Sequence, residues 1–478
     1  MAVVSPLDLP EIRLRIGDYL SKPDLAQCIC VCKVWNESYL PFLWKEISVT
    51  SDSVFERLRT LTPEVIRSHR ELVQVLSIVD MYPGKYKANY PRLNSLTLGA
   101  NLPPARERIS EGDPTELIKQ NPSLTHLTLT HLNVYLLANF WKEVSNLPRL
   151  QSLKLSLTSI DDESHIRVFW SACTNLEVLS LMHFNFAANI GVDSRLAFPK
   201  LRSLTLDLVK NFDQMKQLYF IRQCPQLKEL VWHMECPGHG HTLLAEDIGR
   251  NLWPHLDTLS LGCNISDEAL DPIIKGMARI RKLDLLRCRL GTLSFQSLRH
   301  HFSTLAKLIL WECPVVTSIM LREVLCSCPL LEELKGGYIL ARDAVDGGPW
   351  ICRSMKTIHI CFIFRSDEQD LQPLIFERLS HFVQLRNLGL GGWVSPVTKG
   401  FQETLDFRLE SGLGQLVTMK NINHLSLYRT TQALSEEDVR WISSNWRQLE
   451  VVSGKLNHRM AICDALENIL RERGVRVG

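Results

Sequence analysis

One signature recurs through almost the whole chain: an apolar residue, two variable positions, leucine, one variable position, leucine. "LPRLQSLKL", "CTNLEVLSL", "FPKLRSLTL", "CPQLKELVW" and "WPHLDTLSL" follow one another in the middle of the sequence. Its first residue falls at Trp44, Val73, Leu93, Leu124, Leu150, Leu176, Leu201 and Leu227. It then recurs at Leu256, Ile280, Leu305, Leu331, Met355, Leu385, Ile422 and Leu449. Spacings are 26, 26, 25 and 26 from Leu124 to Leu227, and 24, 25, 26 and 24 from Leu256 to Met355. Gly336 and Gly454 replace the final apolar residue in two units. Alternation of apolar and polar residues makes each signature a strand with one buried face.

Helical stretches separate the strands. In "SDEALDPIIKGM", Ser266 is placed to cap the start, and Leu270, Ile273, Ile274 and Met277 form the buried stripe. In "SEEDVRWISSNW", Ser435 and Asp438 make a capping box with Val439, Ile442 and Trp446 inward. A strand and a helix in some 26 residues cannot cover their own apolar faces, so the units must stack with a continuous core. The expected fold class is α/β: a solenoid of about 14–16 repeats with right-handed crossovers, a horseshoe with one parallel sheet on its concave side. At about 4.8 Å per strand, that sheet would trace an inner arc of roughly 75 Å.

The pattern resembles the leucine-rich-repeat family, in its α/β type of about 26 residues ending Leu-x-Leu-x-x-Cys or -Asn. Asn264, Cys288 and Cys313 occupy that last position, whereas Leu132, Thr158 and Phe184 depart from it. The resemblance speaks for the fold and leaves function open.

Several function classes are disfavoured. Net charge is +2 with acids and bases interspersed, which gives no nucleic-acid footprint. No apolar run reaches the ~18 residues that cross a bilayer, and no secretory leader is evident. We therefore expect a cytoplasmic and/or nuclear protein whose 14 cysteines stay reduced. Cys173, Cys224, Cys328 and Cys352 share a slot filled elsewhere by Tyr90, Phe198, Trp253 and Phe382, so they are expected to pack as small hydrophobes. "HMECPGHGH" sets His233, Cys236, His239 and His241 close together, but without a matching second pair, and Gly238 and Gly240 suit a loop. No phosphate loop, dinucleotide fingerprint, zinc-protease motif or nucleophile elbow occurs. No catalytic residue, cofactor or metal is assigned, and the chain is not expected to be an enzyme.

Residues 6–47 precede the regular array and read as three short helices. The first spans about 9–20 with Asp8 and Glu11 as a capping box; Ser21 introduces the second; the third carries Val34 and Trp35 and ends near Pro41. Some forty residues cannot build a sufficient core alone, yet apolar residues fall on more than one face of the first helix. One set can close the bundle and the other calls for a second protein.

This segment resembles the F-box, through Leu9-Pro10, Glu11-Ile12, Ile16, Tyr19-Leu20, Asp24-Leu25, Cys28, Val31-Cys32-Lys33, Trp35 and Leu43-Trp44. Leu-Pro directly adjoins Glu11, where the family usually has one residue between. The resemblance implies that Leu9, Pro10, Ile12, Ile16, Leu20, Leu25, Val31, Cys32 and Trp35 bind the Skp adaptor of SCF ubiquitin ligases. Through it the chain would reach a cullin and a RING protein and serve as receptor for a protein substrate. The alternative is a non-catalytic interaction scaffold unrelated to ubiquitination. The expected domains are the F-box at 6–47, irregular first repeats at 48–92, the solenoid at 93–455 and a C-terminal cap at 456–478.

A substrate would meet the strand residues that face away from the leucine core. The slot after each strand's last core position includes His233, Leu286, Trp311 and Tyr428, with Ile309 beside Trp311. These five, and Trp393 in the loop "GGWVSPVTKG", are the candidate substrate-binding residues.

Overall fold

Parallel strands with helices between them account for most of the described chain. The computed structural model describes Leu7 and residues 9–49, 63–79, 86–99, 114–131, 138–160, 162–186, 196–234, 238–391 and 403–478. Two compact units divide at Leu227 and Lys228.

The first unit opens with three helices, α1 (Pro10–Gly17), α2 (Lys22–Cys28) and α3 (Lys33–Lys45). Strand β1 (Glu46–Val49) follows at once and pairs in parallel with β2 (Val75–Val79). This strand belongs to the repeat signature that begins at Trp44. β3 (Ser95–Gly99), β4 (His126–Thr130), β5 (Ser152–Ser156), β7 (Val178–Met182) and β9 (Ser203–Asp207) continue it; the short β6 (Ser159–Ile160) and β8 (Asn185–Phe186) pair separately. Register matches leucine to leucine: Leu76, Leu96, Leu127, Leu153, Leu179 and Leu204 form one row. All six are fully buried.

The second unit repeats the design with β10 (Glu229–His233), β11 (Thr258–Gly262), β12 (Lys282–Leu286), β13 (Lys307–Trp311), β14 (Glu333–Leu340), β15 (Thr357–Phe364) and β16 (Asn387–Gly389). β17 (Glu403–Thr404) runs antiparallel to the end of β15, and β18 (His424–Ser426), β19 (Val451–Ser453) and β20 (Arg476–Val477) resume the parallel ladder. Residues 456–478 therefore add a further strand to the sheet as well as a last helix, Met460–Glu472, that buries Cys463, Leu466 and Leu470. One row of the core runs Leu230, Leu259, Leu283, Leu308, Leu334, Ile358, Leu388, Leu425 and Val452 in strict register.

Helix ends are bound partly from the neighbouring repeat. Ser435 and Asp438 form the expected capping box. Ser266, by contrast, makes no side-chain cap to its helix. The next residue, Asp267, reaches across one repeat instead: its carboxylate accepts from the amides of Gly291, Leu293 and Ser294, each at 3.0 Å, and from the Ser294 hydroxyl. A Cβ on Gly291 would collide with that carboxylate, so this approach needs glycine. Cys173, Cys224, Cys328 and Cys352 are fully buried, and burial pushes the Cys352 thiol up to about 12. Cys288 and Cys313 donate to Leu286 O and Leu285 O, both at 3.4 Å. No described helix is long and apolar enough to cross a membrane.

Candidate functional site

The expected contact residues fall on two surfaces, one in each unit. The first is the helical motif. α1 starts at Pro10, where a missing N–H costs nothing. Leu9 at the N-cap makes no side-chain bond, and Asp8 lies outside the described residues. Ser21 caps α2 by accepting from the Asp24 amide. α3 does not end at Pro41: it runs on to Lys45 because the residues beyond still pack, with the Phe42 ring lying on Gly17 of α1. A Cβ on Gly17 would come within 2.9 Å of that ring.

The inward face of α1 carries Arg13 and Gly17, a pair that hydrophobic periodicity does not select. Arg13 is buried, with Nε donating to Ser38 Oγ at 2.9 Å and a terminal nitrogen to Leu7 O at 2.8 Å. With that face taken, apolar residues remain outside. Leu9, Ile12, Leu14, Tyr19, Val31 and Val34 are each at least 40 % exposed, Tyr19 reaching 84 %. Pro10 and Cys32 are also exposed, and Ile16, Leu20 and Trp35 are half-buried. Trp35 meets Tyr39 edge-on at 5.5 Å. Leu25 is corrected: at 4 % exposure it is a core residue of the bundle, since α2 turns it inward. Leu14, Tyr19 and Val34, absent from the expected contact set, belong to the exposed apolar surface.

The second surface lies on the strands of the second unit. Leu286 pairs with Gly262 on one side and Trp311 on the other, and both Leu286 and Trp311 are half-buried. Ile309 is corrected: only 8 % exposed, it sits between Asp284 and Lys335 on the adjoining strands and offers little surface of its own. His233 leans sideways over Gly262, its Nε2 2.9 Å from Ser260 Oγ. Tyr428 is half exposed, with the Arg429 guanidinium 5.6 Å over its ring. Trp393 and Cys236 lie outside the described residues. His241 is buried against Trp232 at 5.3 Å, and burial brings its pKa down to about 4. Among the described residues, no group of three or more His, Cys, Asp or Glu could hold a metal ion.

Between Trp311 and His424 the strand face dips into a cleft of about 330 Å³, lined by Trp311, Lys335, His359, Asn387, Gly389, His424 and small neighbours. Gly336 and Gly337 take left-handed backbone angles, and the register of β14 against β15 shifts between Lys335 and Tyr338. A Cβ on Gly336 would overlap the Leu310 carbonyl. Trp311 meets His359 edge-on at 5.4 Å, two strands away. The His359 ring in turn lies over Gly389, where a Cβ would approach within 2.6 Å.

Charge in the cleft is uneven. Burial, with smaller contributions from Lys335 and His424, pushes the His359 pKa below the usual histidine value; burial does the same for His424. Glu333 bonds to Lys335 at 2.5 Å and Lys307 at 3.1 Å. Burial alone would raise its pKa, but these two partners together hold it below the usual value. Asp284 is pushed up by burial, partly offset by Lys282 and His233. Lys335, His359, Asn387 and His424 were not among the expected contact residues.

Comparison with known proteins bears on the helical motif. Residues 8–50 match the F-box-like family model. No curated protein matches. Among solved structures, the chain is similar to the crystal structure of the Rad7 and Elc1 complex in yeast, at 13 % identity and TM-score 0.45, covering 95 % of this chain and 94 % of that one. It is also similar to an internalin from Listeria monocytogenes, at 14 % identity and TM-score 0.33, covering 86 % and 88 %.

Proposed function

From an F-box-like domain at residues 8–50, followed by leucine-rich-repeat-type α/β units, we propose that the chain is the substrate receptor of an SCF-type cullin-RING ubiquitin ligase. The helical motif binds a Skp-type adaptor, the adaptor joins it to the cullin and RING protein, and the strand face holds the protein to be modified. The observation that carries this reading is the exposed apolar set of the motif, Leu9, Ile12, Leu14, Tyr19, Val31 and Val34, with Arg13 and Gly17 filling the inward face of α1. Several large apolar residues exposed on a small motif point to a protein contact.

On this reading the chain catalyses nothing. It holds a target beside a charged conjugating enzyme, which turns a bimolecular encounter into an effectively intramolecular one. Every described cysteine is a free thiol, which suits action in the reducing cytoplasm or nucleus.

The test is co-expression with a Skp-type adaptor. The wild-type chain is expected to co-purify with it, and Ile12→Asp with Val31→Asp to lose it while keeping the same thermal transition, since both side chains are already exposed. Retained association in the folded double variant would refute the assigned contacts. No association of the wild type would favour the scaffold reading instead.

A further inference from the structure

We propose that the cleft between Trp311 and His424 receives a carboxylate side chain, aspartate or glutamate, of an extended segment of the bound protein. This names a substrate feature and rests on the receptor reading above. Its ionisable lining is all basic: Lys335, His359 and His424. The nearest carboxylate on the same strand, Glu333, is already bonded to Lys335 and Lys307. Thr357 and Ser426 add hydroxyl groups, and Gly389 gives the His359 ring room to lie flat in the cleft. A volume near 330 Å³ suits one or two side chains.

The charge present favours a monoanion over a phosphate dianion. Lys335 shares its charge with Glu333, and both imidazoles are held toward the neutral form. The groups facing His359 are Trp311 from β13, Lys335 from β14, the Gly391 backbone, and His424 from β18. Ser453 lies 3.4 Å from His424. An entering carboxylate would add the one negative charge not already paired, and would draw protons onto the two imidazoles. Binding should therefore strengthen as pH falls from 7.5 to 6.

The experiment uses the full chain and fluorescent Gly-Ser decapeptides carrying two central Glu, Gln or phosphoserine residues, read by anisotropy. The Glu peptide is expected to bind about tenfold more tightly than the Gln peptide, and about fivefold more tightly at pH 6 than at pH 7.5. Lys335→Met should cost about tenfold, and Lys335→Arg should restore most of it. His359→Gln should flatten the pH dependence. Equal binding of Glu and Gln peptides, tighter binding of the phosphoserine peptide, or indifference to Lys335→Met in a chain with unchanged melting would overturn the proposal. Adaptor co-purification separates the two readings: loss of peptide preference with the adaptor retained refutes only the cleft, and the converse refutes only the receptor role.

Discussion

Asp267 is a single side chain on which the start of the following helix depends. Replacing it by alanine would remove the acceptor for three backbone amides, Gly291, Leu293 and Ser294, and for the Ser294 hydroxyl. Loss of one helix cap costs about 0.5 to 2 kcal/mol, and each buried donor left without a partner about 1 to 3 kcal/mol. Gly291 and Ser294 are buried while Leu293 is exposed and can turn to water, so Asp267→Ala should cost about 2 to 4 kcal/mol. Asp267→Asn keeps one acceptor oxygen and should cost about half as much.

The pH dependence follows from the same contacts. Burial raises the Asp267 pKa, but the bonds from Ser294, Leu293 and Gly291 outweigh it, and the net direction is downward. A depressed folded-state pKa gives stability that is fully present above the unfolded value and is lost as pH falls through the folded one. The difference between wild type and Asp267→Asn should then shrink below about pH 4. Hydrogen exchange of the amides over 291–299 is the assay, because a repeat stack can open locally before it unfolds. Unchanged protection of Leu293 and Ser294 in Asp267→Ala would refute the reasoning.

Other substitutions test the core and the backbone. Leu283→Ala removes a fully buried member of the long leucine row and should cost about 2 to 5 kcal/mol by urea denaturation of the second unit. Gly391→Ala would drive a methyl group into the Tyr428 carbonyl, and a fall of several degrees in the melting temperature is expected. Leu157, exposed and with φ of 51°, should gain up to about 1 kcal/mol as Leu157→Gly, since only glycine adopts that angle without strain. His241→Phe should abolish a loss of stability that the wild type shows as pH falls from 6.5 toward 4, because the buried imidazole stays neutral while the unfolded one takes up its proton.

Strand register was legible in the sequence because parallel neighbours one repeat apart must match leucine to leucine, as Leu230 through Val452 do. The helical motif was legible as three helices but not in its facing. Periodicity favours an apolar inward stripe, whereas Arg13 is buried through Ser38 and the Leu7 carbonyl, and Gly17 because Phe42 needs the space. Pro41 misplaced the end of α3 for a similar reason: packing beyond it outweighs one lost backbone bond. The cleft was hidden because its lining is scattered over strands far apart in the sequence. Lys335, His359, Gly389 and His424 come together only when their strands pair, and Trp311 reaches His359 from two strands away.

The exposed helical face is tested most directly by mixing the purified full chain with a purified Skp-type adaptor and following hydrogen exchange. The account predicts a one-to-one complex with new protection over residues 10–20 and 28–35, and none over β10–β16. No complex, or protection confined to the strands, would contradict it.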